Sequence, residues 1–280
     1  MGLALGGGSA RGFAHIGVLK VLEENKIPID MVAGTSFGAI VGTLHCLGYS
    51  ASDLENVARN TKLRKLFDIG ILKSGLFKGK KVEEFLRELF EDKKFSDLEK
   101  PLFLPAVDII SGEEIMFNKG DLTKAVRASI SLPGIFYPVE NNKRILVDGG
   151  VLDVLPIDVL KKNGADIVIA VNLATKRKKE FVYEEAKKET KDVKIPNIFS
   201  IISHSIALSN RETSRLNLEN NQADILLCPD VKDIKYNEFK RYEEIIKKGE
   251  DEANKQLGNI LALTKKKNII QKLIDVVKDV

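Results

Sequence analysis

Short apolar runs of strand length alternate with segments of helical apolar spacing along most of this chain, and that alternation narrows the fold more than any other feature. Leu3-Ala4-Leu5 runs into a glycine loop, after which Phe13, Ile16, Val18, Leu19 and Leu22 recur at helical spacing up to Asn25. Met31-Val32-Ala33 reads as a second strand, and its helix continues to about Leu47. Residues 102–107, 145–148, 167–171 and 225–228 read as further strands. Residues 82–90, 122–129, 156–163 and 198–218 read as helices, the third with Pro156 in its first turn. The order predicts an α/β fold in three layers, a mostly parallel central sheet covered by helices on both faces. A chain of 280 residues is long enough for one such domain with a substantial core, or for two small ones.

One strand-to-helix junction carries chemistry. Gly34-Thr35-Ser36-Phe37-Gly38 fits the G-x-S-x-G pattern of a serine held on a sharp turn, framed by Met31-Val32-Ala33 and by Ala39-Ile40-Val41-Gly42-Thr43-Leu44. Gly34 and Gly38 let the chain turn tightly and lift the Ser36 hydroxyl to the mouth of a cleft. The following helix directs its amide groups at that hydroxyl, where a developing anion would be stabilised. A bland alternative is a glycine-rich turn with Ser36 as helix cap.

A nucleophile also needs an anion site and a proton acceptor. Gly6-Gly7-Gly8-Ser9-Ala10-Arg11-Gly12, at the tip of the first strand, points backbone N–H groups into a cleft, and Arg11 adds positive charge. No Gly-Lys-Ser/Thr follows it, and neither register of the dinucleotide fingerprint is complete, so it is not a nucleotide phosphate loop. For the acceptor, only three histidines exist. His15 and His45 sit in the first two helices and read as buried structural residues, while His204 lies mid-helix rather than at a strand end. Asp148, in Leu146-Val147-Asp148-Gly149-Gly150, stands at the end of a strand, where a parallel sheet presents its chemistry. On pattern alone it is equally a turn aspartate ahead of glycines.

Composition excludes several classes. The 44 basic and 40 acidic residues leave a net charge of +4, too small an excess to indicate nucleic-acid binding. Two cysteines, Cys46 and Cys228, do not make a disulfide framework and suit a reducing, cytoplasmic setting. The first residues carry neither a signal-peptide pattern nor a myristoylation pattern, and no apolar run is long enough to span a bilayer. Residues 61–81, a mixture of lysine, glycine and large apolar side chains, suit a cover over a cleft. Residues 176–194 are densely charged and read as a solvated surface excursion. The segment 236–280 is helical and lysine-rich; its stripe of Ile269, Ile270, Leu273, Ile274, Val276 and Val277 either packs on the domain or lies on a lipid surface at the inner face of a membrane.

Taken together, the glycine-rich loop, Gly-Thr-Ser-Phe-Gly and Asp-Gly-Gly, in that order, resemble the patatin-like phospholipase family. Ala14-His15-Ile16-Gly17-Val18-Leu19, Ser74-Gly75-Leu76-Phe77-Lys78-Gly79, Arg127-Ala128-Ser129-Ile130-Ser131-Leu132-Pro133-Gly134-Ile135-Phe136 and Gly164-Ala165-Asp166-Ile167-Val168-Ile169-Ala170-Val171 extend the resemblance to about Pro229. It implies a catalytic domain over residues 1–230 followed by a helical extension over 231–280. It further implies a Ser36–Asp148 dyad with no histidine, acting on acyl esters of lipids through an acyl-enzyme, without metal or cofactor. Amides of Gly7, Gly8 and Ser9 would form the oxyanion hole, supported by Arg11. Leu72, Leu76, Phe77, Leu132, Ile135 and Phe136 would line the acyl-chain cleft. Three departures stand out. Ser9 replaces a frequent glycine, and Asp153 and Val154 stand where the family often has two asparagines. Asp153 would perturb the base or suit a different head group. Other readings of the same residues are a lipid-binding module without catalysis and a transferase passing the acyl group to an alcohol.

Overall fold

The computed structural model describes residues 1–61, 77–174 and 198–278, with the backbone alone for 198–200, 203, 204 and 266–278. Most of the expected cover, the charged excursion and the side chains of the C-terminal stripe lie outside the described residues.

Among the described residues eight strands form one sheet: β1 (Gly2–Leu5), β2 (Met31–Gly34), β3 (Leu102–Asp108), β4 (Glu114–Phe117), β5 (Val139–Asn141), β6 (Arg144–Asp148), β7 (Val168–Val171) and β8 (Ile225–Leu227). Their order is β5-β6-β3-β2-β1-β7-β8, with β4 added to β3. The run β3-β2-β1-β7-β8 is parallel throughout, in registers such as Leu5↔Gly34 and Leu5↔Val171. β4, β5 and β6 pair antiparallel, so the edge beyond β3 is a meander.

β1, β3 and β7 are buried along their whole length, which explains their unbroken apolar reading. Alternation along the strands sorts side chains to two faces. Leu3, Leu5, Val32, Leu104, Ile169 and Val171 enter the larger core, whereas Ala4, Ala33, Val168 and Ala170 enter the smaller one. Bulk on one face and alanine on the other sets how closely each helical layer approaches.

The larger face is covered by α1 (Ala14–Glu24), α2 (Phe37–Cys46), α3 (Ala51–Asn60), α4 (Lys80–Phe90) and α5 (Leu122–Ser129). The smaller face takes α6 (Asp158–Lys162), through Leu160, and Leu218 of α7 (Ile198–Asn220). The last helix, α8 (Tyr242–Lys278), crosses α1 on the larger face and contributes Ile245, Ile246, Ala253 and Ile260 to its core. Caps mark several starts. Ser50 and Asp53 form a capping box on α3, and Asp121 accepts from the Lys124 amide at 2.7 Å to start α5.

Candidate active site

The Gly34–Gly38 turn owes its shape to packing. A Cβ on Gly34 would stand 2.4 Å from the Gly38 carbonyl, and one on Gly38 would stand 2.1 Å from the Leu5 carbonyl. Neither glycine takes a positive φ; the residue that does is Ser36, at φ 55° and ψ −120°. That conformation costs about 1–3 kcal/mol and persists because both flanking glycines let three backbone segments close on each other. Its result is a half-buried Ser36 at the carboxyl edge of the sheet, directly ahead of α2. The Ser36 amide donates to Ser129 Oγ at 3.3 Å, a fully buried contact residue from the end of α5.

Asp148 reaches the same place from the opposite direction. It ends β6, which runs antiparallel to β3, and pairs with Ala106. Its carboxyl is buried, with Oδ1 accepting from the Gly150 amide at 2.8 Å and Oδ2 making no close hydrogen bond. Burial pushes its pKa up to about 6, while the neighbouring Ser36 hydroxyl and the Gly150 amide pull it back down. Ser36 thus stands beside the carboxyl without closing a hydrogen bond to it.

In the glycine loop the three expected amides differ. The Gly7 amide donates to the Val154 carbonyl at 2.9 Å, whereas the amides of Gly8 and Ser9 have no backbone partner among the described residues. Those two open the 3-10 helix Ser9–Phe13, where unpaired N–H groups are inherent. Ser9 takes φ 49°, which explains why glycine is frequent there, and its hydroxyl donates to the Tyr236 carbonyl at 2.8 Å. The Arg11 side chain turns into the protein. Its guanidinium donates to the carbonyls of Ile234 (2.9 Å) and Leu173 (3.4 Å) and lies 4.3 Å from the centre of the Tyr236 ring. Arg11 thus fastens the loop to the segment after β8.

Two consecutive carbonyls join the three parts of the site. Asp153 C=O accepts from the Thr35 hydroxyl at 2.9 Å, and Val154 C=O accepts from the Gly7 amide. The two family departures are thereby a strut between the Ser36 turn, the glycine loop and the strand end that carries Asp148. The Asp153 carboxyl points elsewhere, accepting from the Leu155 amide at 3.2 Å and the Asn217 side chain at 2.5 Å. Burial, then Glu114, raise its pKa to about 7, and it is not among the causes of the Asp148 shift. Thr35, Ser129 and this strut carry no sequence signature of their own, since hydroxyls and carbonyls are everywhere. Only the turn that holds them was visible.

His15 and His45 take no part in this geometry. His15 is buried and donates through Nε2 to the Gly6 carbonyl at 2.8 Å; burial holds its pKa near 4. His45 is likewise buried and neutral, with a pKa of about 4. The His204 side chain lies outside the described residues. Of the expected cleft residues, Leu72 and Leu76 also lie outside. Phe77 and Phe136 meet at 6.0 Å between ring centres, and the Phe77 amide donates to the Ile135 carbonyl at 2.8 Å. Buried Arg127 clamps this region by donating to Ser131 Oγ and to the carbonyls of Lys78, Gly79 and Tyr137. Leu132, Ile135 and Phe136 are half-buried beside it.

A family model described as patatin-like phospholipase matches residues 3–161, and the chain belongs to that family. An uncharacterized NTE family protein of Mycobacterium tuberculosis is 38% identical over 174 residues, 61% of this chain and 48% of the relative. Human patatin-like phospholipase domain-containing protein 6 is 36% identical over 181 residues, 62% of this chain and 13% of that protein. The chain thus spans at most about half the length of these relatives. Among solved structures, VipD from Legionella pneumophila shares the fold with a TM-score of 0.59 at 13% identity, over 92% of this chain and 66% of that one.

Proposed function

We propose that the protein hydrolyses acyl esters of lipids, with Ser36 as nucleophile and Asp148 as its general base. The observation that supports this reading most is a buried carboxyl with a pKa of about 6 beside a strained, half-buried serine, with neither His15 nor His45 between them. Asp148 Oδ1 is held by the Gly150 amide, which leaves Oδ2 as the atom to accept a proton. In the first step that oxygen takes the Ser36 proton as Oγ adds to the ester carbonyl. The negative charge that develops falls to the amides of Gly8 and Ser9. Collapse breaks the bond to the leaving alcohol, which takes the proton back from Asp148, and leaves Ser36 acylated. Water then adds to the acyl-enzyme, giving its proton to Asp148; collapse breaks the bond to Ser36 Oγ, which takes that proton back, and the free fatty acid departs.

The site requires no cofactor in this scheme. Phe77, Leu132, Ile135 and Phe136 are the described residues assigned to the acyl chain. A fluorophosphonate probe should label the protein at Ser36, and Ser36→Ala should abolish both labelling and ester turnover. Asp148→Asn should lower turnover by roughly 10²- to 10⁴-fold, the range of general-base catalysis. Retained turnover in Ser36→Ala would reject the assignment.

A further inference from the structure

Only seven large apolar side chains among the described residues are strongly exposed, and their distribution is uneven. Ile109 and Ile110 sit at the tip of the β3–β4 hairpin, Val151 and Leu152 directly follow Asp148-Gly149-Gly150, and Ile201 and Leu208 lie on one face of α7. Ile110 is 79% exposed and Leu208 59%. The seventh, Leu216, lies on α7 roughly 12 Å further from that edge, at 1.5 Å per residue from Leu208.

Five of the six belong to the carboxyl edge of the sheet, while Leu152 lines a cavity with Asn217 and Asn221 lower on α7. Ala106 pairs with Asp148, and the chain continues through Ile109, whose amide still donates to the Ile145 carbonyl at 2.9 Å. At about 3.3 Å per residue, the hairpin tip stands roughly 10 Å above the level of the catalytic carboxyl. α7 packs against the 3-10 turn Gly149–Val151, with Asn210 beside Gly150. Ile201 and Leu208 are seven residues apart and share a helix face. Ser36 opens on this same edge.

We infer that this edge docks on the surface of a lipid aggregate, with Ile109, Ile110, Val151, Ile201 and Leu208 entering its apolar layer around the mouth of the Ser36 site. The inference rests on the acyl-lipid reading of that site. Apolar groups clustered on one edge gain by leaving water together, and a lipid surface is the occupant that also delivers the substrate. A substrate whose acyl chains are buried in an aggregate reaches a buried carboxyl only if the mouth of the site lies flush with that aggregate. An apolar rim on that edge meets the requirement without any membrane-spanning helix.

The chain contains no tryptophan, so Ile110→Trp supplies a single fluorophore at the rim, and Leu216→Trp one away from it. Phosphatidylcholine vesicles should blue-shift the first emission and leave the second unchanged. The double variant Ile110→Ser/Leu208→Ser should lose at least tenfold in vesicle flotation and in hydrolysis of vesicle lipid, while its rate on water-soluble p-nitrophenyl butyrate stays at the parent value. Equal vesicle binding by parent and double variant would overturn the docking, as would a parent that hydrolyses the soluble ester yet never floats. A parallel fall on both substrates would make these residues part of the ester site and overturn it too. So would a parent dimer in sedimentation that the double variant converts to monomer, since the rim then meets a second copy. Vesicle binding with no turnover of either ester by the parent would sink the hydrolase reading and leave the docking intact.

Discussion

At the residue scale the decisive quantity is the environment of one carboxyl. Asp148 has an ordinary pKa near 3.8 and about 6 when folded, so the folded protein holds its proton over a wider range. Stability from that group is therefore full below about pH 4 and declines as pH rises to 6, by about 2–3 kcal/mol in all. Asp148→Asn should be more stable than the parent by about that much at pH 8 and equal to it at pH 4, as urea unfolding would show; no gain at pH 8 would contradict the burial argument. Turnover should run the other way, rising about tenfold per unit up to pH 6 and then levelling, since only the ionised base accepts a proton. Asp153 titrates near 7, so the limb near 6 should persist in Asp153→Asn if it belongs to Asp148. Thr35→Val removes the hydroxyl that ties the nucleophile turn to the Asp153 carbonyl. It should lower kcat roughly ten- to a hundredfold with KM nearly constant, because a small displacement of the serine suffices. Sequence exposed Ser36, Asp148 and the glycine loop, because those positions need particular residue types. It could not show that the Gly7 amide is already taken, or that Arg11 turns inward, because backbone pairing depends on segments distant in the chain.

At the element scale, helix contact decides what glycine does. In α8 a Cβ on Gly249 would lie 2.0 Å from the Ala14 carbonyl, while one on Gly258 would meet open space. Glycine to alanine within a helix ordinarily stabilises by about 0.5–1 kcal/mol. Gly258→Ala should do so, whereas Gly249→Ala should destabilise by about 1–3 kcal/mol or more through separation of α1 and α8. Thermal unfolding of the two variants would show opposite shifts in Tm, and shifts of the same sign would contradict the close crossing. Long elements with strong periodicity, such as α4, α5, β3 and α7, were readable in the sequence to within a few residues. α3 and the short strands β4 and β5 were not, since ten polar-rich residues or three or four edge residues carry little pattern. The antiparallel meander was also invisible. Strand direction depends on which edge is free, not on the strand's own residues.

For the whole molecule, the question is how the last 50 residues relate to the rest. Val231, Ile234, Ile245, Ile246, Ala253 and Ile260 share one apolar core with β1 and α1. Calorimetry should accordingly show one unfolding transition, and a chain ending at residue 230 should aggregate or unfold, having exposed the α1 face. Two resolved transitions would restore a separable extension. No helix among the described residues is long and apolar enough to cross a membrane. The sequence by itself determined the alternation of strand and helix, the family, and the residue types at the serine turn and the strand-end aspartate. Each of these is a local requirement, for periodicity, for glycine where backbones touch, or for a hydroxyl or carboxyl. Only the tertiary structure decided that β6 runs antiparallel and brings Asp148 to Ser36, that Asp153 and Val154 link the site's three loops, and that α8 completes the core. Those are relations between distant segments, fixed by burial and by the demand that every buried amide and carbonyl find a partner, which no single stretch of sequence records.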